Sequence, residues 1–216
     1  MTVKIIFFAA IIFMFNSAHT FQQTINIDST IREAKVILEG VCSFSLPNKL
    51  ELQNGAFKRL NELGAKIYGL DNESDQYWLQ QSGLNNNNAE AYKHFVRISF
   101  GSKVIGAGPF DSRKLFELTP EDVSLYDDLL DPSINAHIMS KTLSIEKSKV
   151  SKVGNYYALE KKYISKTQNK PIKVNIRYLF IVDSKNYIIK LEYWEKDFKE
   201  FENAINRVFN TMDLLE

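Results

Sequence analysis

Four stretches in the last third of the chain look like strands, at residues 143–153, 156–165, 174–182 and 187–194. In the third stretch, apolar residues occupy every second position: Val174, Ile176, Tyr178, Phe180 and Val182. A repeat of two residues is typical of a β-strand whose two faces meet different surroundings. The polar links between the last three stretches are too short for a crossover between parallel strands. The pattern therefore predicts an antiparallel meander.

Helical signals occur before and after these stretches. Thr119-Pro120-Glu121-Asp122 predicts a helix start, because threonine can cap, proline suits the first turn and acids favour the positive end of the helix dipole. We expect Asp131-Pro132 to interrupt this helix. Asp197 and Glu200 have the spacing of a capping box, and an apolar stripe follows at helical spacing: Phe198, Phe201, Ile205, Val208, Phe209 and Met212. Strands and an amphipathic helix must bury their apolar faces together. We therefore predict a single-domain α+β fold, with an antiparallel β-sheet flanked by helices in a layered sandwich.

The first half of the chain shows weaker patterns. Residues 25–38 place apolar side chains near helical spacing, which predicts a helix. Residues 42–46 alternate and predict a strand, and residues 92–100 predict another strand with His94 on its apolar face. The polar segment 71–90 is expected to be a surface loop or a short helix.

The N-terminus has the three parts of a secretory signal peptide. Lys4 supplies a positive charge, an uncharged apolar run of 11 residues follows, and residues 16–20 give a short region of mostly small side chains. A membrane-spanning helix needs about 20 apolar residues, so the run is too short to cross a bilayer. We expect residues 1–20 to be a signal peptide cleaved near residues 18–20, with an exported domain over residues 21–216 and no transmembrane segment in the mature chain. A buried N-terminal helix or an uncleaved anchor is the alternative.

The composition excludes several classes of protein. The chain has 27 Lys and Arg residues against 26 Asp and Glu residues, a balance that argues against a dedicated nucleic-acid-binding protein. Its single cysteine, Cys42, cannot support a disulfide framework or a cysteine-based zinc site within one chain. Because Cys42 shares a face with Phe44 and Leu46, we expect a buried thiol that packs as a small hydrophobe. A reactive or intermolecular thiol is the alternative.

Residues suited to catalysis are scarce. The chain has three histidines, and His19 lies in the predicted signal peptide, so a small hydrolase would have to use His94 or His137 with a nearby carboxylate. No Gly-x-Ser-x-Gly sequence indicates a nucleophile elbow. We therefore predict no catalytic residues and no enzyme activity.

The sequence also predicts no metal ion and no cofactor. Residues 71–75 alternate carboxylates like the start of a calcium loop, but Gln76 stands where the loop needs glycine and Ser82 where it needs glutamate. Residues 106–109 lack the third glycine and the following helix of a dinucleotide fingerprint.

Charge is distributed unevenly along the chain. Nine lysines but only two glutamates lie between residues 141 and 173, whereas six acids and no base lie between residues 117 and 131. Such blocks create potentials that can steer a partner, and we select Lys147, Lys149 and Lys162 as candidates to contact an acidic surface. The alternative is a solvated sheet face whose lysines discourage edge pairing.

Three aromatic residues are further candidates for partner binding. Tyr77, Trp78 and Phe110 lie in or beside predicted loops, and tryptophan and tyrosine are frequent in binding hot spots. The alternative is that these rings cover the ends of the sheet.

The closing part of the chain resembles a known family. Its order is Gly-Asn-Tyr-Tyr-Ala-Leu-Glu at residues 154–160, a turn at Lys170-Pro171-Ile172, a Tyr-Leu-Phe-Ile strand at residues 178–181, a tyrosine-rich strand at residues 187–194 and a terminal helix with Ile205, Val208 and Phe209. This order resembles the PsbP-like superfamily, which includes the extrinsic photosystem subunit PsbP, a Ran-binding nuclear import factor and exported bacterial proteins. The resemblance implies an antiparallel sheet between helices and a non-catalytic binding or accessory role, and it supplies no catalytic residues.

Together, these observations predict an exported, non-enzymatic binding or accessory protein of the cell envelope, in a periplasmic or extracellular location. Its partner is expected to be a protein or an envelope component of acidic character, and not a nucleic acid. Two alternatives remain open at this point. One is a small hydrolase that uses His94 or His137, and the other is a carrier that holds an apolar ligand between the helices and the sheet.

Overall fold

The described residues form mainly antiparallel strands. The computed structural model describes residues 24–26, 34–54, 58–59, 77–104, 115, 117–135, 140–182 and 185–215. The strands are β1 (Thr24–Asn26), β2 (Ala34–Leu38), β3 (Cys42–Leu46), β4 (Leu50–Leu52), β5 (Tyr77–Gln81), β6 (Val96–Val104), β7 (Lys141–Ile145), β8 (Lys149–Val153), β9 (Tyr156–Lys166), β10 (Lys173–Val182), β11 (Lys185–Trp194) and β12 (Asp213–Leu214). The helices are α1 (Pro120–Asn135) and α2 (Phe198–Asn210), and 3₁₀ turns form at Ala91–Lys93 and Glu195–Asp197.

The larger sheet contains the strands that the meander pattern predicted. Its order is β4-β5-β6-β11-β10-β9-β7, and β8 also pairs with β9, along the same edge as β7. All of its pairings are antiparallel, with Arg177 of β10 directly opposite Lys161 of β9 and Lys190 of β11. The predicted antiparallel α+β architecture is confirmed.

One continuous core joins this sheet to a smaller sheet and to α2. The smaller sheet has the order β1-β2-β3-β12, and Phe44 of β3 stacks on Phe100 of β6 with ring centroids 5.2 Å apart. The predicted stripe of α2 is buried against both sheets, and the Phe209 ring meets the edge of Tyr178 at 5.4 Å. Full burial of a side chain of this size stabilises the fold by about 1.5–3 kcal/mol, so α2 is held mainly by apolar packing.

Helix α1 lies on the opposite face of the larger sheet. Side chains alternate between the two faces of a strand, so Lys161 and Arg177 point away from the face that carries Tyr178 and α2. The Lys161 Nζ lies 2.7 Å from carboxylate oxygens of both Asp127 and Asp131, which belong to α1. The sheet is therefore flanked by helices, as the sequence predicts.

The start of α1 also follows the prediction. The Thr119 hydroxyl accepts a hydrogen bond from the backbone N–H of Asp122 at 3.3 Å, and the Asp122 carboxylate accepts the Thr119 N–H at 2.9 Å. These reciprocal hydrogen bonds form a capping box. The Thr119 N–H and the Thr119 hydroxyl, which both donate to the Asp122 carboxylate at 2.9 Å, lower the pKa of Asp122 below its ordinary value.

The helix predicted over residues 25–38 is wrong. The described residues of this segment belong to β1 and β2, which pair with Thr24 opposite Ile37. In β2, Val36 and Leu38 are buried while Lys35 is exposed, which is the period of a strand. Pairing with β3 on its other side outweighs the weak helical spacing.

Three element boundaries also differ from the prediction. Residues 143–153 form two strands, because the chain leaves the sheet at residues 146–148. Within the expected loop at 71–90, residues 77–81 form a strand that is paired on both sides, so cross-strand pairing outweighs its polar glutamines. The helix interruption expected at Asp131-Pro132 is absent, and α1 includes Pro132 and continues to Asn135.

Gly154 and Gly40 both have left-handed backbone conformations, but their surroundings differ. Gly154, in the turn between β8 and β9, has φ of +59°, and a Cβ at this position would overlap the backbone carbonyl oxygen of Phe209. Gly40 has φ of +68°, but a Cβ there would meet nothing within 4 Å. Of these two glycines, Gly154 alone is required both for its conformation and for space.

No helix in the described part of the chain combines the length and the apolar character needed to span a membrane.

Candidate functional site

The three lysines selected from the sequence come together along one edge of the larger sheet. Lys147 lies in the linker between β7 and β8, Lys149 begins β8, and Lys162 lies on β9. The linker is held close to β9, because the Glu146 N–H donates a hydrogen bond to the Lys162 carbonyl oxygen at 2.9 Å. We call the group Lys147, Lys149 and Lys162 the lysine edge.

Neighbouring glutamates neutralise part of the lysine edge. The Lys149 Nζ lies 3.2 Å from a Glu160 carboxylate oxygen, and the Lys162 Nζ lies 2.8 Å from a Glu146 carboxylate oxygen. One side chain of each pair is well exposed, Lys149 at 61% and Glu146 at 48%. Surface ion pairs contribute about 0–1 kcal/mol to stability, so these pairs can open when a partner binds. Lys147 is exposed and forms no ion pair with the described residues, so it is the member of the lysine edge that is most available to an acidic partner.

A fourth lysine of the basic block has a different role. The Lys161 side chain is 1% exposed and lies between Asp127 and Asp131 of α1. Burial lowers the pKa of Lys161, but hydrogen bonds and charges from the two aspartates outweigh burial and hold it above its ordinary value. Burial likewise raises the pKa of Asp127, and hydrogen bonds from Lys161 and Ser148 outweigh it and lower the pKa. The acidic and basic blocks of the sequence therefore meet each other at this point.

The aromatic candidates do not form one surface. Tyr77 is 5% exposed and lies in the core, where its hydroxyl donates a hydrogen bond to the Glu39 carbonyl oxygen at 3.3 Å. Tyr77 is the first residue of β5, and its buried ring cannot meet a partner without local opening. Trp78, the next residue of β5, is half-buried on the opposite face of the sheet. Phe110 lies outside the described residues.

His94 lies just before β6 rather than within a strand, and it forms a compact polar cluster with the start of α2. Its Nδ1 lies 3.1 Å from the Asp197 Oδ1 and 3.4 Å from the Glu200 Oε2. The second oxygen of Asp197 accepts the Phe95 backbone N–H at 2.8 Å. Asp197 therefore does not make the predicted capping-box hydrogen bond, and instead it ties the start of β6 to the start of α2.

A surface pocket of about 190 Å³ opens beside His94. Its wall combines the rings of Tyr92, Phe95 and Trp194 with the cations Arg97 and Lys170. None of the lining residues is serine, threonine or cysteine, so this pocket offers His94 no hydroxyl or thiol nucleophile to activate. His137, the other candidate base, lies outside the described residues.

The size, lining and position of this pocket can be compared with what a carrier of an apolar ligand would need. Polar side chains share the wall with the rings, and the pocket lies at the surface rather than between the helices and the sheet. A carrier of an apolar ligand needs a largely apolar cavity of about 300–1,000 Å³. The pocket beside His94 is smaller than that and does not provide such a site.

Cys42 is fully buried in β3. Burial raises the pKa of its thiol far above the ordinary value, and the negative charge of Asp213 adds to the rise. The reactive thiolate is therefore disfavoured in the folded protein.

The described residues contain no group of three or more His, Cys, Asp or Glu side chains placed to hold a metal ion together. The acidic stretch at residues 71–75 lies outside these residues.

Sequence reasoning did not identify the residues that contact Lys161 and His94. A signal for the first contact was present, because Asp127 and Asp131 are four residues apart and so share one face of a helix. No local signal could show that Asp197 meets His94, because 103 positions separate the two residues.

Comparisons with known proteins identify structural neighbours only. No protein-family model matches the sequence, and no curated protein matches it. LpqN from Mycobacterium tuberculosis, described as involved in cell envelope biogenesis, has a TM-score of 0.42 and 7% identity, over 90% of this chain and 91% of LpqN. The cyanobacterial PsbP protein CyanoP from Synechocystis has a TM-score of 0.46 and 7% identity, over 92% of this chain and 96% of CyanoP.

A third neighbour is a protein from Bacteroides thetaiotaomicron. It has a TM-score of 0.42 and 9% identity, and the match covers 81% of this chain but 45% of that protein. The family that the closing strands and helix resemble is thus represented among the neighbours by CyanoP. TM-scores as low as these carry no argument about function, and the fold itself rests on the strand pairings described above.

Proposed function

We propose that this chain is an exported, non-enzymatic binding or accessory protein of the cell envelope, and that the lysine edge contacts an acidic partner. The observation that carries the proposal is the meeting of Lys147, Lys149 and Lys162 at one sheet edge, although they lie in three different segments. Clustered exposed cations attract an acidic surface and guide its approach.

The form of this edge supports contact with a protein surface. Strands β7 and β8 pair with β9 on one side, and the described residues place no further strand beyond them. Lys141 and Lys152 are also exposed on these two strands, and Leu143 of β7 is 49% exposed. An exposed apolar side chain on a strand that also carries an exposed lysine suits an acidic partner that itself has an apolar residue.

The hydrolase alternative has weaker support. His94 and Asp197 resemble a catalytic base and the carboxylate that orients it, but the pocket beside them supplies no hydroxyl or thiol nucleophile. Each hydrogen bond of Asp197 described above joins α2 to the segment before β6, which is a structural role.

Charge reversal tests the proposed contact. The purified protein would be used to capture material from the envelope fraction of its own host, in three forms: wild type, the triple variant Lys147→Glu, Lys149→Glu, Lys162→Glu, and a control triple variant. The control carries Lys35→Glu, Lys93→Glu and Lys199→Glu, which are exposed positions away from the lysine edge. Both triple variants change the net charge equally.

We expect a defined acidic component to bind the wild type and the control, and its recovery to fall at least tenfold with the lysine-edge variant. Added salt should weaken the capture, because exposed charges are screened within about 8 Å at physiological ionic strength. Equal recovery with the two triple variants would show that the contact lies elsewhere.

Export is tested separately. The protein recovered from the envelope fraction should begin near residues 19–21 when its N-terminus is sequenced. An intact Met1 on the recovered protein would contradict cleavage, and recovery only from the cytoplasm would contradict export.

A further inference from the structure

Three cations lie side by side across the centre of the larger sheet. Lys161 of β9, Arg177 of β10 and Lys190 of β11 are directly opposite one another on the face covered by α1. Directly opposite residues on antiparallel strands have Cβ atoms about 4.5–5.5 Å apart, and like charges at that spacing destabilise a sheet. We call these three residues the cation row.

The outer members of the cation row have partners within the protein. Lys161 is held by its two aspartates, and Lys190 also interacts with another group of the chain. Arg177 differs, because its Nε is buried without a hydrogen-bond partner and no described carboxylate forms an ion pair with it. The central cation of the row therefore lacks a compensating anion among the described residues.

Further polar atoms on the side of the sheet that α1 covers are buried and unsatisfied. The hydroxyl groups of Tyr126 on α1 and of Ser148 in the β7–β8 linker lack partners, and so does the Oδ1 of Asn175, which precedes Arg177 by two residues on the same face. Ser148 is 7% exposed and Asn175 is 2% exposed. A buried polar group without a partner costs about 1–3 kcal/mol, so several of them on one side of the sheet require an explanation.

The unsatisfied groups belong both to α1 and to the strands and linker that it faces. Tyr126 is close enough to Arg177 for the positive charge to oppose the rise in pKa that burial gives the tyrosine hydroxyl. Ser148 is placed beside α1, because its backbone N–H donates to both carboxylate oxygens of Asp127 at 3.2 and 3.1 Å. As whole residues Arg177 and Tyr126 are half-buried, whereas the Arg177 Nε and the Tyr126 hydroxyl are themselves buried.

We propose that Arg177, Tyr126 and Ser148 bind a small oxyanion between α1 and the sheet. A guanidinium group can donate two parallel hydrogen bonds to a phosphate or carboxylate, and the two hydroxyls add further donors. The Asn175 Oδ1 is an acceptor, so the ligand also carries a hydroxyl group. Hydrogen phosphate and a small hydroxycarboxylate share this chemistry. The site does not depend on the lysine edge, and it extends the molecule's role to holding a small ligand.

Calorimetric titration of the purified protein tests this site. The probes are inorganic phosphate and lactate, with sulfate and acetate as controls that lack the hydroxyl group, all at the same ionic strength. We expect saturable binding of phosphate, of lactate or of both, and the stronger of the two identifies the ligand class. The corresponding control anion should bind at least about tenfold more weakly, because Asn175 is then left unpaired.

Variants then assign the binding to the proposed residues. Arg177→Gln should weaken the affinity at least about tenfold, because it removes a charge-assisted contact. Tyr126→Phe and Ser148→Ala keep the shape of the site and should each weaken binding severalfold, while Lys35→Gln, on the smaller sheet, should have no effect. The absence of saturable binding of both probes at millimolar concentration would overturn the proposal. Binding that is unchanged in both Arg177→Gln and Tyr126→Phe would also overturn it.

Discussion

Replacing Lys161 by methionine removes the buried charge that connects α1 to the larger sheet. The Lys161 side chain is 1% exposed, and its Nζ lies 2.7 Å from both Asp127 and Asp131, whose side chains are 15% and 38% exposed. Methionine has a similar length and fills a similar volume, so the substitution chiefly deletes the ammonium group.

The magnitude follows from what the substitution leaves behind. Removing one partner of a buried ion pair costs about 3–5 kcal/mol, because the other charge remains without compensation. Here both carboxylates keep some contact with water, which places Lys161→Met near the lower end, at about 3 kcal/mol. Lys162→Met is a matched control, because this neighbouring lysine is 33% exposed and its ion pair with Glu146 contributes no more than about 1 kcal/mol.

Urea denaturation followed by circular dichroism measures both variants. With an m-value of roughly 2 kcal/mol/M, the Lys161 variant should unfold at about 1.5 M less urea than the wild type, and the control within about 0.5 M of it. Adding Asp127→Asn and the double variant completes a thermodynamic cycle, which should give a coupling free energy of about 2 kcal/mol.

The same comparison depends on pH in a defined direction. Because the pKa of Asp127 is lowered in the folded protein, its contribution is present above the unfolded pKa of about 3.9 and is lost as the pH falls through the lower folded pKa. The stability difference between wild type and Lys161→Met should therefore shrink below about pH 4. A difference of less than about 1 kcal/mol at neutral pH, or a coupling free energy near zero, would refute the view that this ion pair holds α1.

Three further predictions concern other positions. Gly154→Ala should lower the free energy of unfolding by at least about 2 kcal/mol, because the new Cβ would overlap the Phe209 carbonyl oxygen. Gly40 has the same left-handed conformation without the overlap, so Gly40→Ala should lower it by about 1 kcal/mol. Equal losses in urea titrations would contradict this. Asp197→Ala should lower the free energy of unfolding by about 2–3 kcal/mol. Glu200→Ala should lower it by less than about 1 kcal/mol, because the Glu200 side chain is 46% exposed. Similar urea midpoints for the two variants would argue against the structural role of Asp197. Cys42 should react with Ellman's reagent only when the protein unfolds, and rapid reaction of the native protein would contradict its burial.

The closing half of the fold could be predicted because its signals are local. In β10 the alternation of apolar and polar side chains, combined with links of a few residues, determines both the strands and their antiparallel order. The stripe of α2 is equally strong, since its apolar positions repeat at helical spacing. Both elements bury one face, so the spacing of their apolar residues in the sequence matches the spacing of their buried residues.

The first half was less predictable because pairing decided its structure. In β2 the apolar residues fit a helix nearly as well as a strand, and the contact with β3 settles the outcome. In β5, Gln80 and Gln81 are buried although they are polar, because each makes side-chain hydrogen bonds to other segments. Such compensation depends on residues that are distant in the sequence.

In the candidate sites, too, single residues could be predicted from local sequence signals, whereas their grouping depends on the fold. The exposed lysines of the lysine edge could be chosen from their density in the sequence, but their grouping depends on how the β7–β8 linker follows β9. The position of Arg177 on the polar face of its strand was predictable from alternation. Its two cationic neighbours were not, because they depend on the register between three strands.

The acidic and basic blocks of the sequence produce a weaker electrostatic field outside the protein than their charges suggest, because part of each block forms ion pairs within the fold. Lys161 is buried between two carboxylates of α1, and Lys149 and Lys162 lie 3.2 and 2.8 Å from glutamates. Opposite charges so close together nearly cancel beyond a Debye length of about 8 Å. The field that a distant partner meets is therefore set mainly by exposed lysines without such neighbours, such as Lys147. Reversing Lys147 alone should then slow association more than reversing Lys162, whereas dissociation should depend on both, because the ion pair of Lys162 can open only once the partner is in contact.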